Sequence, residues 1–355
     1  MTDYMEMNAT VWRNFLWRQH SHTCIPIQQS LPDKVDSLHL QIIFSILYFL
    51  VWIVAVSGNS LVLYIVTVKQ VSLSVRTVFI GSLAVSDILM SLTSLPVTAV
   101  TIFTRDWVFP SIFCRLIGVF QGGSIFVSSF TLTFIAVDRM LLILYPSREI
   151  ITFERALGIV LSIWVIGYSL SLPNGIFSRT VQYFPYCGTF CEEAWPDSNL
   201  EGGSKLGRMY GMAVMTLQFG VPVLISSVCY WRISRVISQQ IEKRREQQIM
   251  LKECEQKLSS RRTRSNRMMV CMVLGLVLAW LPLNLINLSR DFNGVNAWFS
   301  AMFAFCHVIA MTSAAWNPVI YSWFNPQLRT TLKSMMGSSS PKTERLPLVN
   351  VLKTS

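Results

Sequence analysis

Charge is what this chain has least of. Asp, Glu, Lys and Arg together make up 14% of its 355 residues, against 52% hydrophobic ones, whereas a soluble domain normally carries about a quarter charged residues. That balance excludes an ordinary water-soluble fold. No internal repeat of the kind that marks many transporters is visible. The apolar segments contain no nucleophile–base pair and no cluster of metal ligands, which argues against an enzyme and against a metal centre. No cleavable signal peptide is apparent either. The first residues are polar and Trp-rich, so the first apolar segment is expected to serve as its own insertion signal.

What the chain does have is apolar sequence in seven blocks: Leu40–Val68, Val75–Phe103, Ser111–Leu144, Leu157–Pro173, Leu206–Ile237, Met268–Leu288 and Ala297–Phe324. Each is near the length of helix that spans a bilayer, about 20 residues. The connections are mostly short, which predicts one all-α membrane protein, a seven-helix bundle over residues 40–324. Residues 1–39 are expected to form an extracellular segment, 325–336 a short amphipathic helix on the membrane surface, and 337–355 a cytoplasmic tail. The net charge of +11 does not imply a nucleic-acid partner, because the basic residues sit on one set of connections. They crowd between Lys243 and Arg267 and after Arg329, while the opposite segments are mildly acidic. This positive-inside pattern places the N-terminus outside, and the acidic outer mouth favours a basic ligand. Asn8-Ala9-Thr10 is then a glycosylation acceptor on the correct side.

The eight cysteines divide by compartment. Cys24, Cys114, Cys187 and Cys191 lie outside or at the outer boundary, where disulfides persist, and four cysteines allow three pairings. Cys229, Cys271 and Cys306 fall in apolar helices and are expected to be small core residues, and Cys254 to be cytosolic and reduced. No cysteine follows the amphipathic segment, so no palmitoyl anchor is expected there.

Several polar residues sit where hydrocarbon makes them costly. Asp87 lies in the middle of an apolar helix, so it must face polar partners, water or a cation inside the bundle. Asn59, Ser128, Ser313 and Asn317 are the polar residues of other helices available to surround it. The plain alternative for Asp87 is a hydrogen-bond hub. Trp280-Leu281-Pro282 places a proline in the sixth span, which leaves a carbonyl unpaired and kinks the helix. Pro222 and Pro318 do the same in the fifth and seventh. Asp138-Arg139-Met140 closes the third span.

These last motifs, with Tyr145-Pro146 and Asn317-Pro318-Val319-Ile320-Tyr321, resemble the motif set of the rhodopsin-like (class A) G-protein-coupled receptors. The resemblance implies a plasma-membrane receptor in which Arg139 pairs with Asp138 at rest. On activation it swings toward Tyr230, Tyr321 and a heterotrimeric G protein. It also implies a sodium ion near Asp87, a link from Cys114 to the second extracellular loop, and arrestin and receptor kinase as partners beside the membrane lipid. Ser338, Ser339, Ser340, Thr343, Thr354 and Ser355 are the candidate phosphorylation sites. Three departures stand out. Ser313 replaces a common Asn of the sodium cluster. Arg262 stands where many relatives carry an acid that latches the arginine. Leu276 replaces a Phe one turn below Trp280.

Two subclasses drop out. Amine receptors carry an Asp where this chain has Gln121, and opsins need a lysine that does not occur between Ala297 and Phe324. Cys191-Glu192-Glu193-Ala194-Trp195-Pro196 resembles the Cys-x-Glu-x-Trp-Pro segment of the neuropeptide Y and neuropeptide F receptors, and the likeness extends to Thr98, Gln121, Gln218, Asn287, Asp291 and His307. It implies a peptide ligand ending in Arg followed by an amidated aromatic residue. An uncharged amide suits the neutral donors and acceptors Gln121, Thr98 and Gln218. The guanidinium suits Asp291, with Asn287 one turn below. His307 fits either as a ligand contact or as a polar core residue. With Cys114 joined to Cys191, the resemblance leaves Cys24 and Cys187 as the second expected pair. The neighbouring reading is a receptor for another amidated peptide, tachykinin-like or RFamide-like. The reading from a different class is a transporter or channel.

Overall fold

The computed structural model describes residues 24–68, 74–145, 148–198, 204–246, 252–293, 298–324 and 331. Among these, seven helices are long and apolar enough to cross a membrane. They are α1 (Leu38–Thr67), α2 (Val75–Thr104), α3 (Ser111–Leu144), α4 (Phe153–Phe177), α5 (Lys205–Met215 continuing into Val221–Glu246), α6 (Lys252–Asn293) and α7 (Phe299–Phe324). Helix is what such sequence must form in lipid, where no water satisfies backbone groups. The starts follow capping chemistry. Ser74 accepts from the Thr77 amide while Thr77 reaches back to the Ser74 amide at 2.9 Å, and Ser204 accepts from Gly207 at 2.7 Å. Three helices outrun the apolar blocks Leu157–Pro173, Leu206–Ile237 and Met268–Leu288. Beyond the blocks α5 and α6 are rich in Glu, Lys, Arg and Gln, good helix formers that carry the helix past the apolar limit.

Helix α3 is the centre of the bundle and meets α2, α4, α5 and α6. Its approach to α4 is close enough to demand glycine. A Cβ on Gly175 would lie 2.6 Å from the Arg115 carbonyl and 2.5 Å from Val119. One core cluster gathers Ile65, Phe79, Leu83, Leu132 and Ile233, and a second gathers Phe44, Met90, Ile125, Trp280 and Met311. Large apolar side chains also cover the outer surface of α1 and α4, such as Ile46, Phe49, Leu161 and Val165. In a membrane protein that surface is solvated by lipid. The same reasoning corrects one expectation. Cys229 is buried, but Cys271 is exposed and Cys306 only partly covered, because an apolar residue of a spanning helix has two apolar environments to choose from.

The end of the bundle that carries the α4–α5 connection is tied by several independent bonds. An antiparallel hairpin, β1 (Ser178–Val181) and β2 (Phe190–Glu193), pairs Ser178 with Glu193 and Thr180 with Cys191. Cys191 is joined to Cys114 of α3, and Cys187 to Cys24. Arg105, at the end of α2 with a left-handed φ of 53°, donates to the Leu31 carbonyl at 2.6 Å and to Asp36 at 3.0 Å. Its neighbour Asp106 accepts from the Thr189 amide at 2.7 Å. The segment 24–37, the α2–α3 connection and the hairpin therefore form one clasp. Asn8, residues 337–355 and the expected helix 325–336, save residue 331, lie outside the described residues, as does Cys254's side chain.

Candidate ligand-binding site

Beneath the clasp lies a cavity of about 340 Å³. Five of the six residues predicted to face a ligand line it, one from each of five helices: Thr98 of α2, Gln121 of α3, Gln218 of α5, Asn287 of α6 and His307 of α7. The sixth, Asp291, sits one turn above Asn287 in α6, and its side chain lies outside the described residues. Trp280 lies beneath, itself buried, with its indole N–H donating to Ser313 at 3.0 Å.

Gln218 owes its place to the local backbone. Pro222 has no N–H, so the Gln218 carbonyl lacks its usual partner four residues on. Residues Thr216–Gly220 adopt a π turn, of the kind often found at functional sites, and the Ser129 hydroxyl of α3 donates to the freed carbonyl. The side chain then donates to the Gly122 carbonyl at 3.2 Å. His307 is 1% exposed, with Nδ1 2.9 Å from the Tyr48 hydroxyl. Its Nε2 and the Asn287 Oδ1 are both buried with no hydrogen-bond partner. The cavity thus holds at least two unmet polar atoms, on facing helices.

The hairpin forms the roof. Trp195 packs its ring 4.5 Å from Phe177 and 5.1 Å from Tyr210, centroid to centroid. Its indole N–H donates to Glu193 at 2.9 Å, which brings Glu193 to the cavity wall together with Arg208, Asn284 and Arg290. Sequence reasoning placed none of these four in the site. The Cys-x-Glu-x-Trp-Pro segment was the one available signal for Glu193. The others carry no mark beyond helical spacing, Asn284 and Arg290 from Asn287. Close by, Asp197 accepts from the Ser204 hydroxyl and from the Leu206 amide. These bonds hold its carboxyl below the usual aspartate range. Tyr183 is shifted up, chiefly because its hydroxyl donates to Glu192.

A second polar cluster lies at mid-membrane depth. Asp87 accepts from Asn317 at 2.8 Å through one oxygen and from Ser128 at 3.3 Å through the other. Ser128 continues to Ser86 at 3.2 Å, and Ser86 donates to the Ser124 carbonyl at 2.9 Å. Asn59 does not reach Asp87 directly. Its amide donates to the Ala55 and Ala314 carbonyls at 2.9 and 2.8 Å, leaving its buried Oδ1 without a partner. Ser313 likewise serves Trp280 instead of Asp87.

At the far end of α3, Arg139 and Asp138 form an ion pair at 3.1 Å. Pro282 and Pro318 lie within α6 and α7. Tyr230 is 43% exposed on α5, whereas the side chains of Tyr321 and Arg262 lie outside the described residues.

A cavity with polar lining at one end, an ion pair at the other and proline-interrupted helices between them are the parts a membrane receptor needs. The family model of the 7 transmembrane receptors (rhodopsin family) matches residues 58–321, and the chain belongs to that family. Among curated proteins, neuropeptide receptor 3 of Caenorhabditis elegans is 59% identical over 310 residues, covering 87% of this chain and 82% of the relative. The neuropeptide F receptor of Drosophila melanogaster is 30% identical over 319 residues, 85% of this chain and 64% of the relative. The RYamide receptor of Tribolium castaneum is 28% identical over 302 residues, 82% and 80% of the two chains.

Proposed function

We propose that this protein is a cell-surface receptor for an amidated neuropeptide of the Arg-Phe-amide or Arg-Tyr-amide type, signalling through a heterotrimeric G protein of the inhibitory class. The observation that carries the reading is the convergence of Thr98, Gln121, Gln218, Asn287 and His307 on one cavity. They are neutral donor–acceptor groups of the kind an uncharged amide needs. The names of the relatives, a neuropeptide F receptor and an RYamide receptor among them, support it.

In this reading residues 1–39 lie outside, the Asp138–Arg139 end faces the cytoplasm, and residues 325–336 and 337–355 form the surface helix and the tail that receptor kinase and arrestin meet. Asn8 carries a glycan. Asp291 receives the ligand guanidinium. Peptide favours the conformation in which α6 swings outward, only to the extent that it binds that conformation more tightly. Arg139 then leaves Asp138 for Tyr230, Tyr321 and the G protein. A sodium ion belongs to the resting state, with Asp87 and Ser128 as oxygen donors and Asn59 Oδ1 as a free acceptor nearby. The test is competition binding on the Asp291→Ala receptor with an Arg-containing amidated peptide. The expected loss is about 2–5 kcal/mol, and unchanged affinity would remove Asp291 from the site.

A further inference from the structure

A second concavity lies apart from the ligand cavity, on the flank of the bundle between α3, α4 and α5. Its volume is about 680 Å³. Its wall is carbon: Phe130 and Phe134 from α3, Ile159, Ile163 and Ile166 from α4, and Val221, Pro222 and Ile225 from α5. The two hydroxyls in the lining are turned back into their own helices. Thr133 donates to the Ser129 carbonyl and Ser162 to the Gly158 carbonyl, each at 2.9 Å. Gly158 lines the groove, and a Cβ at that position would meet nothing within 4 Å.

One charge stands in this lining, Arg155, near the start of α4. Its guanidinium donates to the Ile150 carbonyl at 2.7 Å, which fixes it at the helix end. No carboxylate lies within salt-bridge distance of it among the described residues. From Arg155 to Ile166 the face of α4 rises roughly 16 Å at about 1.5 Å per residue. That is close to half of the roughly 30 Å hydrocarbon core of a bilayer. The groove is one leaflet deep, with a cation at its mouth and hydrocarbon along its length.

We infer that this groove binds one anionic phospholipid of the leaflet on the Asp138–Arg139 side. An acyl chain lies along Phe134, Ile159 and Ile163, and the headgroup anion meets Arg155. With the orientation given under Proposed function, on which the choice of leaflet rests, this is the cytoplasmic leaflet, where anionic lipids concentrate. Arg155 supplies charge complementarity. The open side of Gly158 supplies room.

The test uses the full-length receptor in micelles with equal amounts of phosphatidylserine and phosphatidylcholine, the bound lipids being counted by native mass spectrometry. Wild type is expected to retain phosphatidylserine preferentially. Arg155→Gln should reduce that preference about five-fold, the scale of one basic residue at an anionic surface. Gly158→Leu, filling the open groove, should reduce retention of both lipids. Melting temperatures measured in parallel show whether the variants are folded, independently of any peptide ligand. Equal retention of the two headgroups by wild type, or variants that hold lipid as wild type does, would overturn the site. Micelles have no leaflets, so the result stands whatever an epitope-accessibility assay says of the orientation.

Discussion

The two polar clusters of the bundle draw on similar residues and are finished differently. At mid-membrane depth, Asp87 has both oxygens engaged, and Ser86, Ser128, Ser313 and Trp280 all have partners. Asn59 Oδ1 is the one atom left over among these side chains. In the outer cavity Asn287 Oδ1 and His307 Nε2 are left unmet. A buried polar atom without a partner costs about 1–3 kcal/mol. Apart from Asn59 Oδ1, the protein completes its inner cluster from its own groups, and that cluster can hold the helices in register. It leaves the outer one incomplete, and a ligand that supplies the missing hydrogen bonds recovers the cost.

This contrast can be broken by mutation. The largest effect is expected for Asn317→Leu, which strips the 2.8 Å bond from Asp87 and strands a buried carboxylate. Stability should fall by about 3 kcal/mol, read as a lower melting temperature of purified receptor; an unchanged melt would mean the inner cluster is not structural. Asn287→Leu should do the opposite. Removing an unsatisfied acceptor leaves the unliganded melt unchanged or raised, while peptide affinity drops by about 1–1.5 kcal/mol, roughly ten-fold. If Asn287→Leu destabilised the free receptor as Asn317→Leu does, the two clusters would not differ.

A smaller effect concerns the roof. Asp197 has a depressed pKa, held by Ser204 and Leu206 at the start of α5. Its contribution is complete above the ordinary aspartate value of 3.8 and is lost as pH falls through the lower folded value. Wild type should lose a little stability over that acid range, and Asp197→Asn should lack this component. Identical pH profiles for the two would sink the assignment.

Much of this was legible in the sequence because lipid permits few solutions. Seven apolar blocks had to be helices, and Asp87, Gln121 and Asn317 had to face inward. What was not legible follows from tertiary contact. The hairpin β1–β2 is two four-residue strands, too short for an alternation signal. The π turn at Thr216–Gly220 answers Pro222 and Ser129 together, and only one of those is nearby in sequence. Arg105 and Asp106 belong to no sequence motif, yet they hold the segment 24–37 and the hairpin on either side. Arg208 and Arg290 reach the cavity through helix phase at the ends of α5 and α6, where apolar periodicity has faded.

The most direct measurement is a calcium or cAMP assay on cells expressing the receptor at their surface, challenged with Arg-Phe-amide and Arg-Tyr-amide peptides beside their free-acid forms. The neutral donors and acceptors Thr98, Gln121, Gln218, Asn287 and His307, which share the cavity wall with the charged Glu193, Arg208 and Arg290, should favour the amides over the acids. An equal response to amide and acid, or silence to both with surface expression verified, would contradict the amide-binding site built around Gln121, Gln218 and His307.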